Sequence, residues 1–175
     1  PDALREFIRE AHRRGIAVHI DVVHNHYGPD GLDLKQFDGH SGGDNGHGVY
    51  FYEDKERGTT PWGPRPDFGR KEVRAFIADS IRMFFDEYRV DGLRWDSVAN
   101  IVRYNSGAVE NPEGEKLIDE IARMLRTEYP DKISIAEDAV GDDRFDGSWQ
   151  YDFHHGGNNG ESGVVPQLLR PPGET

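Results

Sequence analysis

Three short apolar runs in this chain each end on acidic or polar residues, and stretches with helical spacing separate them. The runs with their polar ends are residues 16–26, 89–96 and 133–138. When strands and helices alternate, the strands form a parallel sheet, and the carboxyl ends of parallel strands meet at one edge of it. The sequence therefore predicts an α/β fold in which polar residues far apart in the chain share one site.

The helical stretches are recognised by apolar residues that recur every three or four positions. They are predicted over residues 2–14, over residues 71–88 and from Asn111 onward, where a proline occupies the first turn. The first predicted strand, residues 16–23, is so rich in β-branched side chains that we expect it to be buried on both faces. Residues 149–153 could form a fourth short strand.

Two segments fall outside this alternation. Residues 27–67 are crowded with glycine, aspartate and aromatic residues, and a loop of that length in a compact domain is usually functional. Residues 156–175 are rich in glycine and proline and are predicted to be irregular. A chain of 175 residues is one domain by length, and it is long enough to bury a core.

Composition disfavours several classes of partner. The net charge of −12 argues against nucleic acid, which needs basic patches, and fits a neutral polyol ligand as well as plain solubility. With no cysteine there is no disulfide framework and no thiol chemistry. No apolar run approaches the length of a membrane helix, so no membrane partner is predicted.

Two of the carboxylates, Asp96 and Glu137, have the chemistry needed to cleave a glycosidic bond with retention. One ionised carboxylate attacks the anomeric carbon, and a protonated carboxyl roughly 5–5.5 Å away gives its proton to the leaving oxygen. Adjacent parallel strands lie about 4.8 Å apart, which suits this separation. Arg94 lies two residues before Asp96 on the same face of the strand, where a fixed cation would keep Asp96 ionised. A purely structural ion pair at a strand end is the alternative.

The same segments resemble the signature regions of the α-amylase superfamily, glycoside hydrolase family 13. Residues 21–26 resemble its first region, residues 92–96 its second and residues 136–138 its third, in that order and with helices between them. The resemblance covers residues 1 to about 155. Residues 60–70 make the chain most similar to branching enzymes and to the amylase-like proteins close to them.

The spacing alone fits an open doubly wound sheet as well as a barrel. The resemblance implies a (β/α)8 TIM barrel, of which the chain would contain approximately strands three to five or six with their flanking helices. Residues 1–175 would then be a partial catalytic barrel domain with an active-site loop at about 27–67. Because an open part of a barrel leaves strand edges unpaired, we expect the isolated chain to be inactive.

The resemblance also implies roles for single residues. Asp96 would be the nucleophile and Glu137 the general acid/base, with Arg94 in support. Three residues match the first region. His26 would contact the sugar ring at the cleavage position, Asp21 would help shape the site, and Asn25 would be a further substrate-binding or supporting residue.

Aromatic residues could line the path of the glucan, because sugar rings present apolar C–H faces that stack on aromatic planes. Trp62 and Trp149 are the main candidates for this role. Packing within the loop is the alternative for each aromatic residue. The further candidates are Tyr50, Phe51, Tyr52, Tyr151 and Phe153.

The sequence departs from the family pattern at two places. Many α-amylases carry Lys-His where this chain has Ala99 and Asn100, which argues against a calcium-dependent endo-amylase. The His-Asp pair of the fourth region, whose aspartate is the third essential carboxylate, does not occur in this chain, and we expect it beyond Thr175.

An acid-rich part of the long loop could hold calcium, because this ion prefers hard oxygen ligands. Such loops are usually just solvated, so no metal and no other cofactor is predicted. The candidate calcium ligands are Asp38, Asp44, Asn45 and Asp54.

The predicted function is that of a retaining glycoside hydrolase or transglycosylase acting on α-1,4-glucans, most like a 1,4-α-glucan branching enzyme. An α-amylase-type or trehalohydrolase-type hydrolase is an alternative, because it would share this pattern. A non-catalytic glucan-binding or scaffold relative is the alternative from another class. Such relatives typically lack one or more of the carboxylates, whereas Asp96, Glu137 and Arg94 are all present.

Overall fold

The computed structural model describes residues 1–28, 39, 47–139 and 142–149, without the Trp149 side chain. Within these ranges no helix combines the length and the apolar character needed to cross a membrane. The helices and strands, in chain order, are α1 (Asp2–Arg13), β1 (His19–Val22), α2 (Lys55–Gly58), β2 (Thr59–Thr60), β3 (Gly63–Pro64), α3 (Lys71–Met83), β4 (Gly92–Trp95), α4 (Ala99–Val102), β5 (Arg103–Tyr104), β6 (Val109–Glu110), α5 (Pro112–Glu128), β7 (Ile133–Glu137) and β8 (Gly147–Trp149).

Four of the strands form one parallel sheet in the order β1-β4-β7-β8. The second strand in this order, β4, pairs with β1 on one side and with β7 on the other, so that Arg94 lies opposite both Asp21 and Ile135. Helices lie between β1 and β4 and between β4 and β7 along the chain, which is the predicted α/β alternation. Because β1 and β8 stand at the two edges, the described residues form an open part of a barrel.

The core lies between this sheet and the helices α3 and α5. Leu93 and Trp95 of β4 are fully buried, and Trp95 Nε1 donates to Ser134 Oγ of β7 at 3.1 Å, so its polar atom has a partner. Both helices bury one apolar stripe spaced by three or four residues, which is the pattern of an amphipathic helix. The stripe residues are Val73, Ile77 and Ile81 of α3 and Leu117, Ile118 and Ile121 of α5.

Asp91 ties the amino ends of the strands together. Its Oδ2 accepts a 2.7 Å hydrogen bond from Val18 N and lies 2.8 Å from His12 Nε2 of α1. Its backbone N–H donates to Val18 O at 2.8 Å, and its carbonyl accepts from Ile133 N at 3.1 Å. The residue immediately before β4 therefore connects α1, β1 and β7, and this connection sets the opposite, carboxyl ends of the strands level with one another.

The first strand differs from the expectation that it would be buried on both faces. His19 and Asp21 are exposed, and Val23, which follows the strand, is 41% exposed. The physical reason is the position of β1 at an edge of the sheet, where the described residues cover it incompletely. Apolar composition predicts that a segment forms a strand, but it does not predict which elements cover that strand.

Two further segments differ from the sequence-based boundaries. The fourth strand, β8, begins at Gly147 instead of Trp149, and residues 150–153 lie outside the described residues, as does the tail 156–175. The helix predicted over residues 71–88 is α3 followed by a π-helical turn, which Arg89 ends with a left-handed φ of 64°.

The long segment 27–67 contains regular structure where it is described. The Asp54 side chain caps α2 by accepting from Arg57 N at 2.8 Å. Thr60 Oγ1 accepts from Gly63 N at 3.1 Å and closes the turn between β2 and β3. Residues 29–38 and 40–46 lie outside the described residues.

Gly114 in the first turn of α5 allows this helix to approach the end of α4. A Cβ added at Gly114 would lie 2.0 Å from Ile101 O and 2.7 Å from Ile101 C. Gly→Ala normally stabilises a helix by about 1 kcal/mol, but a clash with backbone reverses the sign. We therefore expect Gly114→Ala to lower the free energy of unfolding of the full-length protein by about 2 kcal/mol.

The measurement is urea unfolding followed by circular dichroism. Gly147→Ala is the matched control, because an added Cβ there meets nothing within 4 Å. If Gly114→Ala is as stable as the wild type, the close approach of α4 and α5 is wrong.

Candidate active site

Two carboxyl groups come together at the carboxyl edge of the sheet because of the strand register. Trp95 of β4 pairs with Ala136 of β7, so the next residues, Asp96 and Glu137, are level with each other. A backbone hydrogen bond of 3.0 Å from Val98 N to Glu137 O continues this alignment beyond β4. The sequence predicted that these two residues would meet at one edge, and the fold places them there.

The Arg94 guanidinium lies among three carboxylates from three adjacent strands. Its Nη1 donates to Asp21 at 2.8 and 2.9 Å and to Asp96 Oδ1 at 2.7 Å. Its Nη2 forms an ion pair with Glu137 Oε2 at 2.7 Å. The Arg94 side chain is only 20% exposed, so these contacts are partly shielded from water. One planar cation therefore bridges the two candidate catalytic carboxyls.

Asp96 is held by donors on both of its carboxylate oxygens. Asn25 is fully buried, and its Nδ2 donates to Asp96 Oδ2 and to the Asp96 carbonyl, each at 2.7 Å. Arg94 Nη1 occupies the other oxygen, Oδ1. With both oxygens engaged, the Asp96 carboxylate is held in one orientation at the carboxyl ends of the strands.

Glu137 is far more enclosed than Asp96. Its side chain is 5% exposed, whereas that of Asp96 is 27% exposed. Burial raises the pKa of Glu137, and the charges of Asp138 and Asp96 act in the same direction, while the Ser97 N–H and Arg94 oppose the rise. The apolar residues of β7 that precede Glu137 account for this burial. A carboxyl that holds its proton to higher pH suits a general acid.

His26 belongs to the same network through Asn25. Its Nδ1 forms a hydrogen bond with Asn25 Oδ1, and because the Asn25 amide nitrogen points at Asp96, this Oδ1 must accept. Burial lowers the pKa of His26, and the charge of Asp96 acts in the opposite direction. The network thus assigns the proton of a neutral His26 ring to Nδ1 and leaves Nε2 as an acceptor.

Trp62 extends the site away from the carboxylates. Its side chain is 50% exposed, and its ring lies 5.7 Å from the His26 ring between centroids. Trp62 also lines a cleft of about 540 Å³. The buried Arg65 supports this cleft, because its Nε donates to Asn100 O at 3.0 Å. The other lining residues are Glu56, Thr59, Thr60, Pro61, Ala99, Asn105, Ser106 and Gly107.

Most of the site residues predicted from the sequence are close together. The network of direct contacts described above includes Asp21, Asn25, His26, Trp62, Arg94, Asp96 and Glu137. Trp149 lies opposite Glu137 in the β7–β8 pairing, but its side chain is outside the described part of the chain.

The other aromatic candidates do not line an open path where they are described. Phe51 and Tyr52 are buried, at 1% and 2% exposure, so loop packing is the correct interpretation for both. Tyr50 packs against Phe76 of α3 with ring centroids 5.6 Å apart. The remaining two candidates, Tyr151 and Phe153, lie outside the described residues.

The suggested calcium ligands do not form a site in the described part of the chain. Asp54 is engaged by Arg57, whose Nε donates to Asp54 Oδ2 at 2.7 Å. Across residues 1–28, 39, 47–139 and 142–149, no group of three or more His, Cys, Asp or Glu could hold a metal ion. The other suggested ligands, Asp38, Asp44 and Asn45, lie outside these ranges.

Ser97 is a site residue for which the sequence gives no signal. Its backbone N–H donates to Glu137 Oε2 at 2.9 Å, and its φ of 39° lies in the left-handed region. Asp138, the residue after Glu137, also has a left-handed φ, of 62°. Neither conformation can be predicted from residue type, because most serine and aspartate residues have a negative φ.

Comparison with proteins of known function gives two informative relatives. The chain is 31% identical over 159 residues to the 1,4-alpha-glucan branching enzyme GlgB of Fusobacterium nucleatum, with 87% of this chain and 25% of that protein covered. It is 33% identical over 169 residues to the malto-oligosyltrehalose trehalohydrolase of Saccharolobus solfataricus, with 89% and 26% covered. The chain therefore spans about a quarter of the length of these relatives. No protein-family model matches it.

Solved structures agree with these relatives. The maltogenic alpha-amylase AmyB of Thermotoga neapolitana matches with a TM-score of 0.60 over 87% of this chain and 32% of its own, at 22% identity, which supports the fold alone. The catalytic module of the glycogen-degrading pneumococcal virulence factor SpuA matches with a TM-score of 0.53 over 77% of this chain and 16% of its own, at 26% identity. With the signature segments placed at one edge of a parallel sheet, these likenesses confirm a partial (β/α) barrel, and the chain belongs to the α-amylase family, glycoside hydrolase family 13, among its branching-enzyme-like members.

Proposed function

We propose that the full-length protein cleaves and transfers α-1,4-glucan chains with retention, as a branching-type enzyme. Residues 1–175 form the part of its catalytic barrel that carries the nucleophile, Asp96, and the general acid/base, Glu137. The observation that carries this proposal is the bridge from Arg94 Nη1 to Asp96 and from Arg94 Nη2 to Glu137, at 2.7 Å each. This bridge supports the proposal because it holds the two carboxyl groups at the ends of neighbouring strands. The separation of neighbouring strands is close to the one that a retaining mechanism requires between its two carboxyls.

In the first step, an Asp96 oxygen attacks the anomeric carbon of the glucan. The bond from that carbon to the glycosidic oxygen breaks, and the departing chain takes the proton of Glu137. The product is a glycosyl ester on Asp96 together with a Glu137 carboxylate. The raised pKa of Glu137 supports this assignment, because the proton must be present before cleavage.

In the second step, the Glu137 carboxylate removes a proton from an acceptor hydroxyl. The acceptor oxygen then attacks the anomeric carbon and displaces Asp96, and Glu137 regains its proton. If the acceptor is water, the reaction is hydrolysis. If it is a hydroxyl group of another glucan chain, the reaction is transfer, and attack by a 6-hydroxyl creates a branch.

Other residues of the network would hold the sugar. With its proton assigned to Nδ1, the His26 ring can accept a hydrogen bond from a sugar hydroxyl at Nε2. The exposed face of Trp62 offers an aromatic platform beside it, and the cleft of about 540 Å³ continues the path for further glucose units. The long segment 27–67, which contains Trp62, would therefore act as the active-site loop.

Hydrolysis is the second candidate function, because one relative named above is a trehalohydrolase. The branching assignment is favoured by the branching enzymes among the relatives and by Ala99 and Asn100 in place of Lys-His. The non-catalytic alternative is disfavoured, because Arg94 contacts both Asp96 and Glu137.

Asp96→Asn in the full-length protein should lower turnover of amylose by about three orders of magnitude or more, because an amide cannot form the glycosyl ester. The measurement is kcat on amylose, with Asp131→Asn as the matched control. Asp131 is 76% exposed and lies just before the amino end of β7, so this control should behave as the wild type. Retention of more than about a tenth of the activity by Asp96→Asn would refute its role as nucleophile.

Glu137→Gln should reduce kcat/KM for natural glucans by about 10²–10⁴-fold, but that for glycosyl fluorides far less, because fluoride leaves without a proton when the glycosyl ester forms. Since the acid must be protonated, wild-type kcat/KM should fall as pH rises through the raised pKa of Glu137. The pH–rate profile of each substrate gives both results, and Glu72→Gln on the exposed face of α3 is the control. Equal losses on both substrate classes would argue against an acid role.

Branching and hydrolysis are distinguished by their products from amylose. The full-length protein should reduce iodine colour with almost no new reducing ends, and α-1,6 linkages should become visible by NMR, because a sugar hydroxyl takes the glycosyl group. A proportional rise in reducing ends without new linkages would show that water is the acceptor and that the protein is a hydrolase.

A further inference from the structure

The residues that follow the two candidate catalytic carboxyls are both in the left-handed conformation. Ser97 has a φ of 39°, and Asp138 has a φ of 62°. Residues other than glycine adopt the left-handed backbone conformation at a cost in free energy, and they keep it only when contacts with their surroundings stabilise it. Here the two residues are held to each other, since Ser97 Oγ donates a long hydrogen bond of 3.4 Å to Asp138 Oδ2.

Asn100 determines which group donates in the hydrogen bond between Ser97 and Asp138. Its Nδ2 donates to Ser97 Oγ at 2.8 Å, and an amide nitrogen can only donate. The Ser97 oxygen therefore accepts from Asn100, and its own hydrogen is left to point at the Asp138 carboxylate. The backbone of Asn100 is fixed as well, because its carbonyl accepts from Arg65 Nε at 3.0 Å.

This arrangement presents the Ser97 N–H to Glu137. The N–H donates to Oε2 at 2.9 Å, and Arg94 Nη2 lies 2.7 Å from the same oxygen. Within the described ranges, Oε1 receives no hydrogen bond. The Ser97 N–H and the positive charge of Arg94 beside Oε2 make it the poorer place for a proton, so the proton of the neutral carboxyl belongs on Oε1.

We propose that Ser97 and Asn100 are positioning residues for Glu137, which hold the Ser97 N–H against Oε2 so that Oε1 carries the proton given to the leaving group. The chemical role of that proton rests on the proposed function, whereas the positioning of the carboxyl does not. Asn100, at the position where many α-amylases have histidine, would thus help to position the general acid Glu137 in this chain.

The charges that face Glu137 come from three places in the fold. Arg94 lies in β4, Asp96 follows it, and Asp138 follows β7. The Ser97 N–H and Arg94 both lower the pKa of Glu137, against the larger effect of burial. If the Ser97 N–H is no longer held in place, this pKa should rise further.

The first test measures the titration of Glu137 itself in the full-length protein. Isotope-edited infrared spectra of protein carrying 13C-carboxyl glutamate would follow its C=O band, which is identified by its loss in Glu137→Gln. Ser97→Ala and Asn100→Ala should each raise the titration midpoint by about 0.5 pH unit or more. Ser80→Ala in α3 is the matched control and should leave it unchanged. If these two variants have the melting temperature of the wild type and an unchanged titration midpoint for Glu137, the proposal is overturned.

The second test separates positioning from general loss of structure. Each variant should lose about tenfold in kcat/KM on natural glucans but less than about twofold on glycosyl fluorides, because kcat/KM reports formation of the glycosyl ester, for which only natural glucans need the acid. The double variant should be no worse than either single variant, since both act through one contact. Equal losses on both substrates would overturn the proposal. If the wild type converts neither substrate, the proposed function fails, and the titration still decides the positioning.

Discussion

The contact on which the site depends is the Arg94 guanidinium at the meeting point of three strand ends. Asp21, Asp96 and Glu137 converge at the carboxyl edge of the sheet, and their mutual repulsion would separate the strand ends without a cation between them. The guanidinium is planar and rigid, so its fixed donors set the positions of all three carboxylates together. A simple ion pair at a strand end needs only one partner, whereas Arg94 contacts three carboxylates among the described residues.

Strand register is the condition that allows Arg94 to make these contacts. Arg94 lies opposite Asp21 in β1 and Ile135 in β7, and a slip of one residue in either pairing would move the carboxylates to the other face. At the amino ends, Asp91 joins Val18 and Ile133 through backbone hydrogen bonds and so fixes this register. Residues at one end of the sheet therefore determine the geometry at the other.

Much of this could be predicted from the sequence, and the failures have physical causes. The bounds of β7, 133–137, were predictable because a short apolar run ends directly on a charge, and the raised pKa of Glu137 follows from that same run. Apolar composition predicted β1 as a strand but could not predict its exposure here, since that depends on β1 lying at the edge of the sheet that the described residues form. It also could not separate the buried Phe51 from the exposed Trp62, because both are aromatic residues in one loop. The left-handed Ser97 depends on its hydrogen bonds, which composition does not encode.

Asp96 and Glu137 share one cation, yet their surroundings separate their chemistry. Asp96 is 27% exposed and has donors on both oxygens, from Arg94 and Asn25, so its carboxylate acts as an acceptor toward each neighbour. Glu137 is 5% exposed, and both the Ser97 N–H and the Arg94 guanidinium lie against its Oε2. Burial raises the pKa of Glu137 and favours its neutral form. Two carboxyls in unlike environments are what one site needs to supply an anion and an acid at the same pH. The difference arises from the chain itself, because Asn25, which follows β1, donates to Asp96, whereas Glu137 ends the largely apolar and buried strand β7.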